Sequence, residues 1–510
     1  MHPSELASKS AIERVSNALA RSLERHVAAL LIVLTLLFAV RTAAWDAWRP
    51  LWYDEIFTEH ISRLGSPSAI WTALAGGLDT NPPLSYLLTG IAHRFAGSGP
   101  LATRLPETAG FWLMCLCLFA LVRHRTSVIF GLAALLFPFA TKAAVYSYEA
   151  RPYGLLLGFT ALAVLCWQRA PESRYRYFAI AGIWIGMVLA ISASYLAVLG
   201  LLPLLAGQLR RDFARRRVDI AIWTALLLSP LTLIAYRPLV AGTYSLASGF
   251  WAHPSLAAFV RCYTETLGLA SWPILLMLIA AVVCGRWIDA DAVMATSFLF
   301  LPVALLAVSL VTHAFFSRYV LAMVIGIAMV IVLFCFRVFR GSAVAGLILC
   351  VILVALSAAQ EIAARRDLRH RQQALVSALI AKTRLVPVPI VIDSGHFFAD
   401  MYTNGPRDVA ARVRYLASPP DAIHYLGTNT DDVILERLSH YVPIPVESGA
   451  GFLTANRQFW LYVPQDTPSW VLTRLTESGA DIAFAGRAGA GDTLFLVTQG
   501  ASQIPRTAVH

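Results

Sequence analysis

Val27-Ala28-Ala29-Leu30-Leu31-Ile32-Val33-Leu34-Thr35-Leu36-Leu37-Phe38-Ala39-Val40-Arg41-Thr42-Ala43-Ala44 decides the fold class. Eighteen residues with one charge make about 27 Å of α-helix, close to the thickness of a bilayer's hydrocarbon core. The run is long enough to span and lacks a small-residue cleavage site, so it is not a removable signal. Ten residues past its end comes Leu51-Trp52-Tyr53-Asp54-Glu55. Acids are scarce, 30 Asp+Glu among 510 residues of which 58% are hydrophobic. Two adjacent carboxylates at a membrane exit, flanked by aromatics, therefore need a chemical reason. A carboxylate at a water–lipid boundary can take a proton from an alcohol or amine as that group attacks a lipid-borne electrophile. A solvated loop acid capping an interfacial helix is the simpler reading of an arbitrary Asp-Glu pair.

A mean hydropathy of +0.64 with 14% charged residues marks a polytopic membrane protein and excludes an ordinary soluble one. Apolar runs predict eleven spans, at about 27–44, 105–122, 127–141, 154–168, 177–191, 195–209, 219–236, 271–285, 293–312, 319–336 and 342–361. The net charge of +11 is nearly all arginine, since only Lys9, Lys142 and Lys382 are lysine. With the N-terminus in the cytoplasm, the segments on that side carry 17 Lys+Arg in about 60 residues. The opposite loops carry 9 in about 115. That bias is a topology signal and not a nucleic-acid footprint. An odd span count then puts the C-terminal region outside, with the first long loop.

The organisation that follows is a cytoplasmic tail (1–26), a transmembrane domain (27–362) with its first outer loop at 45–104, and an extracytoplasmic α/β domain (363–510). Within the loop, Pro83 to Phe95 is too short to span and carries His93-Arg94, which suits an amphipathic helix lying along the interface. After Ala363, runs such as Val388–Asp393 and Gln458–Val463 read as strands, with helices near 406–416, 430–440 and 468–479. Gly486–Gly491 reads as a turn between strands, and no glycine-rich phosphate loop is present. A lid or specificity domain without chemistry is the plain reading. Six of seven cysteines lie in apolar runs and Cys262 in a loop, so no disulfide framework or zinc spacing exists. His60, His93 and His313 are too scattered for a metal site.

Four loop elements converge on the outer face in this topology: Asp54-Glu55; Asp79-Thr80-Asn81-Pro82-Pro83, whose double proline fixes the backbone before a helix; Ala102-Thr103-Arg104-Leu105-Pro106; and Lys142 through Tyr153, including Tyr146-Ser147-Tyr148-Glu149-Ala150-Arg151-Pro152-Tyr153. In order and spacing they resemble the GT-C membrane glycosyltransferases that use polyprenyl-phosphate sugars. The branch they are most similar to holds the protein O-mannosyltransferases and the bacterial transferases of aminoarabinose to lipid A. The likeness rests on Asp54-Glu55 after the first span, Pro82-Pro83-Leu84-Ser85-Tyr86-Leu87-Leu88, Arg104-Leu105-Pro106, Ala150-Arg151-Pro152-Tyr153 and the late Ser317-Arg318-Tyr319. Glu107 and Asn81 depart from it, standing where a small residue and a charged one are usual.

The resemblance implies an inverting glycosyltransferase of the bacterial inner membrane, with its active site and C-terminal domain facing the periplasm. Its donor would be a polyprenyl-phosphate sugar and its acceptor a lipid, glycan or protein, with no metal or other cofactor and no nucleic acid. It makes Asp54 the general base; Glu55 either positions the acceptor or orients a neighbouring arginine. Lys142, Arg151 and Arg318 are the candidates for the donor phosphate, although Lys142 could equally snorkel and Arg318 anchor Tyr319 at the interface. Arg104 suits fixing the loop to the bundle more than catalysis. Glu149 either binds the acceptor or, more simply, pairs with Arg151. Asn81, Tyr153 and Tyr319 complete the candidate substrate site. The aromatics Trp45, Trp48, Trp52 and Tyr53 read first as an interfacial belt. A transporter of lipid-linked sugars is the alternative, but transporters tend to hold ionisable groups at mid-membrane and to show duplicated halves, and neither pattern is seen. A sensory protein would not require clustered acids and cations in its first outer loop.

Overall fold

The computed structural model describes residues 3–172, 174–244, 255–284, 289–312, 315–465, 468–488 and 492–499. The chain forms two compact units, Met1–Arg49 with Asn81–Pro238 and Ala252–Ile362, and Pro50–Thr80 with Leu239–Trp251 and Ala363–His510. In chain order the helices are α1 (Pro3–Arg25), α2 (Val27–Trp48), α3 (Tyr53–Ser62), α4 (Pro67–Ala75), α5 (Leu84–Ala96), α6 (Pro100–Arg125), α7 (Val128–Leu136), α8 (Tyr153–Arg169), α9 (Arg176–Ala193), α10 (Leu201–Arg215), α11 (Ile220–Leu228), α12 (Thr232–Ala235), α13 (Arg237–Tyr244), α14 (Leu256–Leu267), α15 (Ser271–Cys284), α16 (Ala290–Ser297), α17 (Leu301–Thr312), α18 (Met323–Val338) and α19 (Ala343–Thr383).

The first unit is a helical membrane bundle. Among the described residues five helical stretches are long and apolar enough to cross a bilayer: Val27–Trp48, Pro100–Arg125, Arg176–Ala193, Ala290–Leu310 and Ala343–Arg366. The pair Leu256–Leu267 and Ser271–Ala281, bent by 102°, would make a sixth. Four shorter apolar helices are Val128–Ala140, Tyr153–Arg169, Ile220–Ala235 and Met323–Val338. Among the described residues eleven full-length spans are therefore not what is seen. Apolar runs do not reveal that Pro138 and Pro230 sit in tight 3₁₀ turns that interrupt the regular helix. The stretch expected to span at 195–209 is a 3₁₀ turn over Tyr195–Gly200, and α10 then runs on to Arg215 with Gln208, Arg211 and Asp212 buried. Cys262 lies buried in α14, not in a loop.

Helices α6 and α8 cross with their backbones in contact. A Cβ added at Gly154 or Gly158 would fall on the carbonyl oxygens of Glu107 and Gly110, and one at Gly110 would come within 2.6 Å of Gly154. Glycines four apart permit this approach, which apolar bundles use where side chains would hold helices apart. The crossing fixes the start of α8, and with it the segment around Arg151.

The second unit holds a six-stranded sheet: β1 (Ile390–Ile392), β2 (Val413–Ala417), β3 (Val446–Ser448), β4 (Gln458–Val463), β5 (Asp481–Ala488) and β6 (Asp492–Thr498). Its order is β3-β2-β1-β4-β6-β5. The first four strands run parallel, while β6 is antiparallel to both β4 and β5. Its remaining helices are α20 (Gly395–Asn404), α21 (Arg407–Ala410), α22 (Pro419–Leu426), α23 (Thr430–Ser439), α24 (Gly449–Ala455) and α25 (Trp470–Glu477). Both faces of β4 are covered, since Phe459, Leu461 and Val463 and the alternate Trp460 and Tyr462 are all buried. The helix expected over 406–416 is one turn, α21, followed by strand β2, because Val413 and Arg414 pair with β1 and Tyr415 and Leu416 with β3. Gly486 is not in a turn but at a bulge within β5; 489–491 lie outside the described residues, as does His313.

Candidate active site

Three charged residue pairs tie together α2, α6 and the 142–153 segment of the first unit. At the end of α2, Asp46 and Arg49 lie one turn apart. In the first turns of α6, Arg104 and Glu107 do the same. Arg104 is fully buried; it pairs with Asp46 at 3.1 Å and donates to the Arg49 carbonyl at 3.0 Å. Arg49 in turn reaches the Tyr148 carbonyl at 3.1 Å and the Glu149 carboxylate at 3.6 Å. Glu149 thus has Arg49 as an ion partner, a residue the sequence reading had passed over. Glu107 accepts from the Leu155 N–H at 2.9 Å, capping α8, and has Arg151 as an opposite charge. Arg151 is buried just ahead of α8, and Tyr153 packs edge-on against Tyr146 with centroids 5.0 Å apart.

Behind these pairs Arg41 binds Glu361 at 2.8 Å and Ser147 at 3.0 Å. Trp45 donates to the same glutamate at 2.8 Å and stacks on Tyr148 at 4.4 Å. Trp45 is thus a packed structural residue rather than a loose belt aromatic. Such a network satisfies charges that would be costly to bury singly. Its pairings could not be picked out from the chain because they close over long separations, 58 residues for Arg104–Asp46 and 99 for Arg49–Tyr148.

Lys142 is exposed at the start of a 3₁₀ turn over Lys142–Ser147, capped by Thr141. Arg318 lies in a second 3₁₀ turn, Ser317–Val320, with its guanidinium 4.8 Å above the Phe316 ring, and Tyr319 is half-buried beside it. Ser317 donates to Glu265 of α14 at 2.6 Å, and the glycine that ends α14, Gly268, lies against the Lys142 stem. The unexpected helix α14 therefore borders both cations. Asn81 is buried, and Pro82-Pro83 lead into α5 as the double proline requires.

Asp54 and Glu55 belong to the second unit, in the first turn of α3. Glu55 is fully buried, and its carboxylate accepts from the Trp52 N–H at 3.2 Å, closing the helix N-terminus. Asp54 is half-buried at the same N-terminus, where the helix dipole favours negative charge. Tyr53 is buried and donates to Asp431 at 3.0 Å. Burial, then the nearby carboxylates of Asp431 and Asp54, hold its phenol well above the usual tyrosine range. Among the described residues no group of three or more His, Cys, Asp or Glu is arranged to hold a metal ion.

A helical membrane bundle joined to a mixed α/β domain is the class these features define. The particular fold is similar to that of ArnT. The crystal structure of ArnT from Cupriavidus metallidurans in the apo state matches 92% of this chain and 98% of its own, at TM-score 0.54 and 11% identity. The same protein bound to undecaprenyl phosphate matches 91% of this chain and 98% of its own, at TM-score 0.52 and 12% identity. No protein-family model matches the chain, and no curated protein does. The likeness to the GT-C transferases read from the loop motifs thus holds at the level of the fold.

Proposed function

We propose that this protein is a membrane glycosyltransferase that moves a sugar from a polyprenyl phosphate to an extracytoplasmic acceptor, which is a lipid, a glycan or a protein. The supporting observation is a fold shared along nine-tenths of the chain with a protein solved with undecaprenyl phosphate bound. In this reading Asp54 takes the proton from the acceptor hydroxyl or amine as its oxygen or nitrogen attacks the anomeric carbon. The bond from that carbon to the phosphate oxygen breaks with inversion, and the polyprenyl phosphate leaves with the electron pair. Lys142, Arg151 and Arg318 stabilise the charge on the departing phosphate. Glu149 and Arg104 hold the surrounding segments through Arg49 and Asp46. Asn81, Tyr153 and Tyr319 line the substrate site. The enzyme would work in a bacterial inner membrane, facing the periplasm.

The test uses purified protein in nanodiscs, polyprenyl-phosphate sugars and an envelope extract as acceptor. One polyprenyl phosphate is released for each new glycosidic bond, and Asp54→Asn slows this by about 10²–10⁴-fold. An unchanged rate in Asp54→Asn overturns the base assignment. Sugar movement without any new bond overturns the transferase reading in favour of a transporter.

A further inference from the structure

The helix that carries Asp54 is built into the α/β unit. Ahead of α3, Asn404 of α20 donates to the Leu51 carbonyl at 3.0 Å. At its first residue, the Tyr53 hydroxyl donates to Asp431 of α23 at 3.0 Å. The Tyr53 ring lies against the His396 imidazole of α20, centroids 4.2 Å apart, and Trp52 faces the same imidazole at 6.2 Å and 17°. Further along the segment, Arg437 of α23 donates to the Gly77 carbonyl at 2.9 Å. The segment is thus clamped before, at the start of and after α3, by the same two helices.

Asp431 packs against the start of α20: a Cβ at Gly395, the first residue of that helix, would lie 2.8 Å from its Oδ2, so the glycine leaves the carboxyl group room. Glu55 closes the N-terminus of α3 from within, which leaves the direction of that first turn to be set by what Tyr53 touches. A short helix of ten residues has little stability of its own and takes its position from its contacts.

We propose that the α/β domain is the positioning platform of the catalytic helix, with Asp431 and His396 as positioning residues that set where Asp54 stands. This rests on the reading of Asp54 as base. It gives a task to a domain whose sequence suggests a lid or specificity domain without chemistry.

The experiment pairs steady-state transfer with amide hydrogen exchange of full-length protein in nanodiscs. Asp431→Ala lowers kcat by about 10–100-fold, the scale expected when a reacting group is misplaced by an ångström or so, with donor KM changed less than about twofold. It also speeds exchange at residues 53–58 while the strands of the sheet keep their protection. Asp431→Asn, whose amide oxygen still accepts from Tyr53, restores both readouts. Tyr53→Phe, which removes a single oxygen, repeats the Asp431→Ala pattern and serves should that variant fail to fold. Wild-type kcat and wild-type exchange in Asp431→Ala and Tyr53→Phe overturn the platform, as does failure of Asp431→Asn to restore either readout. If the wild-type protein transfers no sugar from any donor, the base reading fails, and exchange at 53–58 still decides whether these residues hold α3.

Discussion

At the scale of single residues, the Asp54-Glu55 couplet separates into two jobs. Glu55 is buried and caps the helix with an oxygen that accepts from Trp52. Glu55→Gln keeps such an oxygen, so transfer stays within a few-fold of wild type in the same nanodisc assay in which Asp54→Asn is nearly inactive. Arg104 is the clearest structural charge. Its replacement by alanine leaves Asp46 buried without its partner and costs about 3–5 kcal/mol, read as a lowered unfolding temperature. Arg104→Lys recovers only part of this, because an ammonium is a poor substitute for a planar guanidinium that serves a carboxylate and a carbonyl together. Arg104 was legible as an anchor from its place at the head of a span. Its partner was not: Asp46 and Arg49 look like ordinary interfacial residues until the fold brings distant segments together.

At the scale of elements, most helices sit where the apolar runs place them, and the exceptions have physical causes. Helix α14 was missed because it is amphipathic, with Cys262, Thr266 and Leu267 buried and Leu256 and Arg261 exposed, and so never forms an apolar run. The segment 406–416 mixes alanine and arginine with valine and tyrosine, and only pairing with β1 settles the strand. The spacing Gly154 to Gly158 was visible in the chain, but its meaning depends on the facing Gly110. Gly158→Val would force α6 and α8 apart at a backbone contact. It is expected to cost about 1–3 kcal/mol or more and to lower transfer through the misplaced start of α8, measured by thermal unfolding and activity side by side. Asp393, at the end of β1, receives bonds from Ser469 and Val471 at the start of α25, yet burial pushes its carboxyl up to about 7. The folded value lies above the unfolded one of about 4. The native state therefore holds the proton more tightly, and this contribution to stability is present at low pH and lost as pH rises from about 4 through about 7. Asp393→Asn, neutral throughout, should gain in stability relative to wild type between pH 5 and pH 8, as measured by unfolding of the two proteins at both values.

At the scale of the whole molecule, hydropathy and loop motifs were enough for the class, a membrane bundle followed by an α/β domain. They were not enough for the division of labour. Residues 50–80 read as a loop of the membrane domain, yet they pack with the α/β unit, and nothing in their composition announces a partner more than 300 residues away, as for Tyr53 and Asp431. The same fold is reached by ArnT at 11–12% identity, which fits a fold specified by apolar periodicity, helix caps and a few buried charges. What remains to be tested most directly is the chemistry. Masses of envelope glycolipids and glycoproteins should be compared among cells with the wild-type chain, with Asp54→Asn and with neither. The account predicts species heavier by one sugar residue in the wild-type cells alone, and identical mass profiles in wild-type and chain-less cells would contradict it.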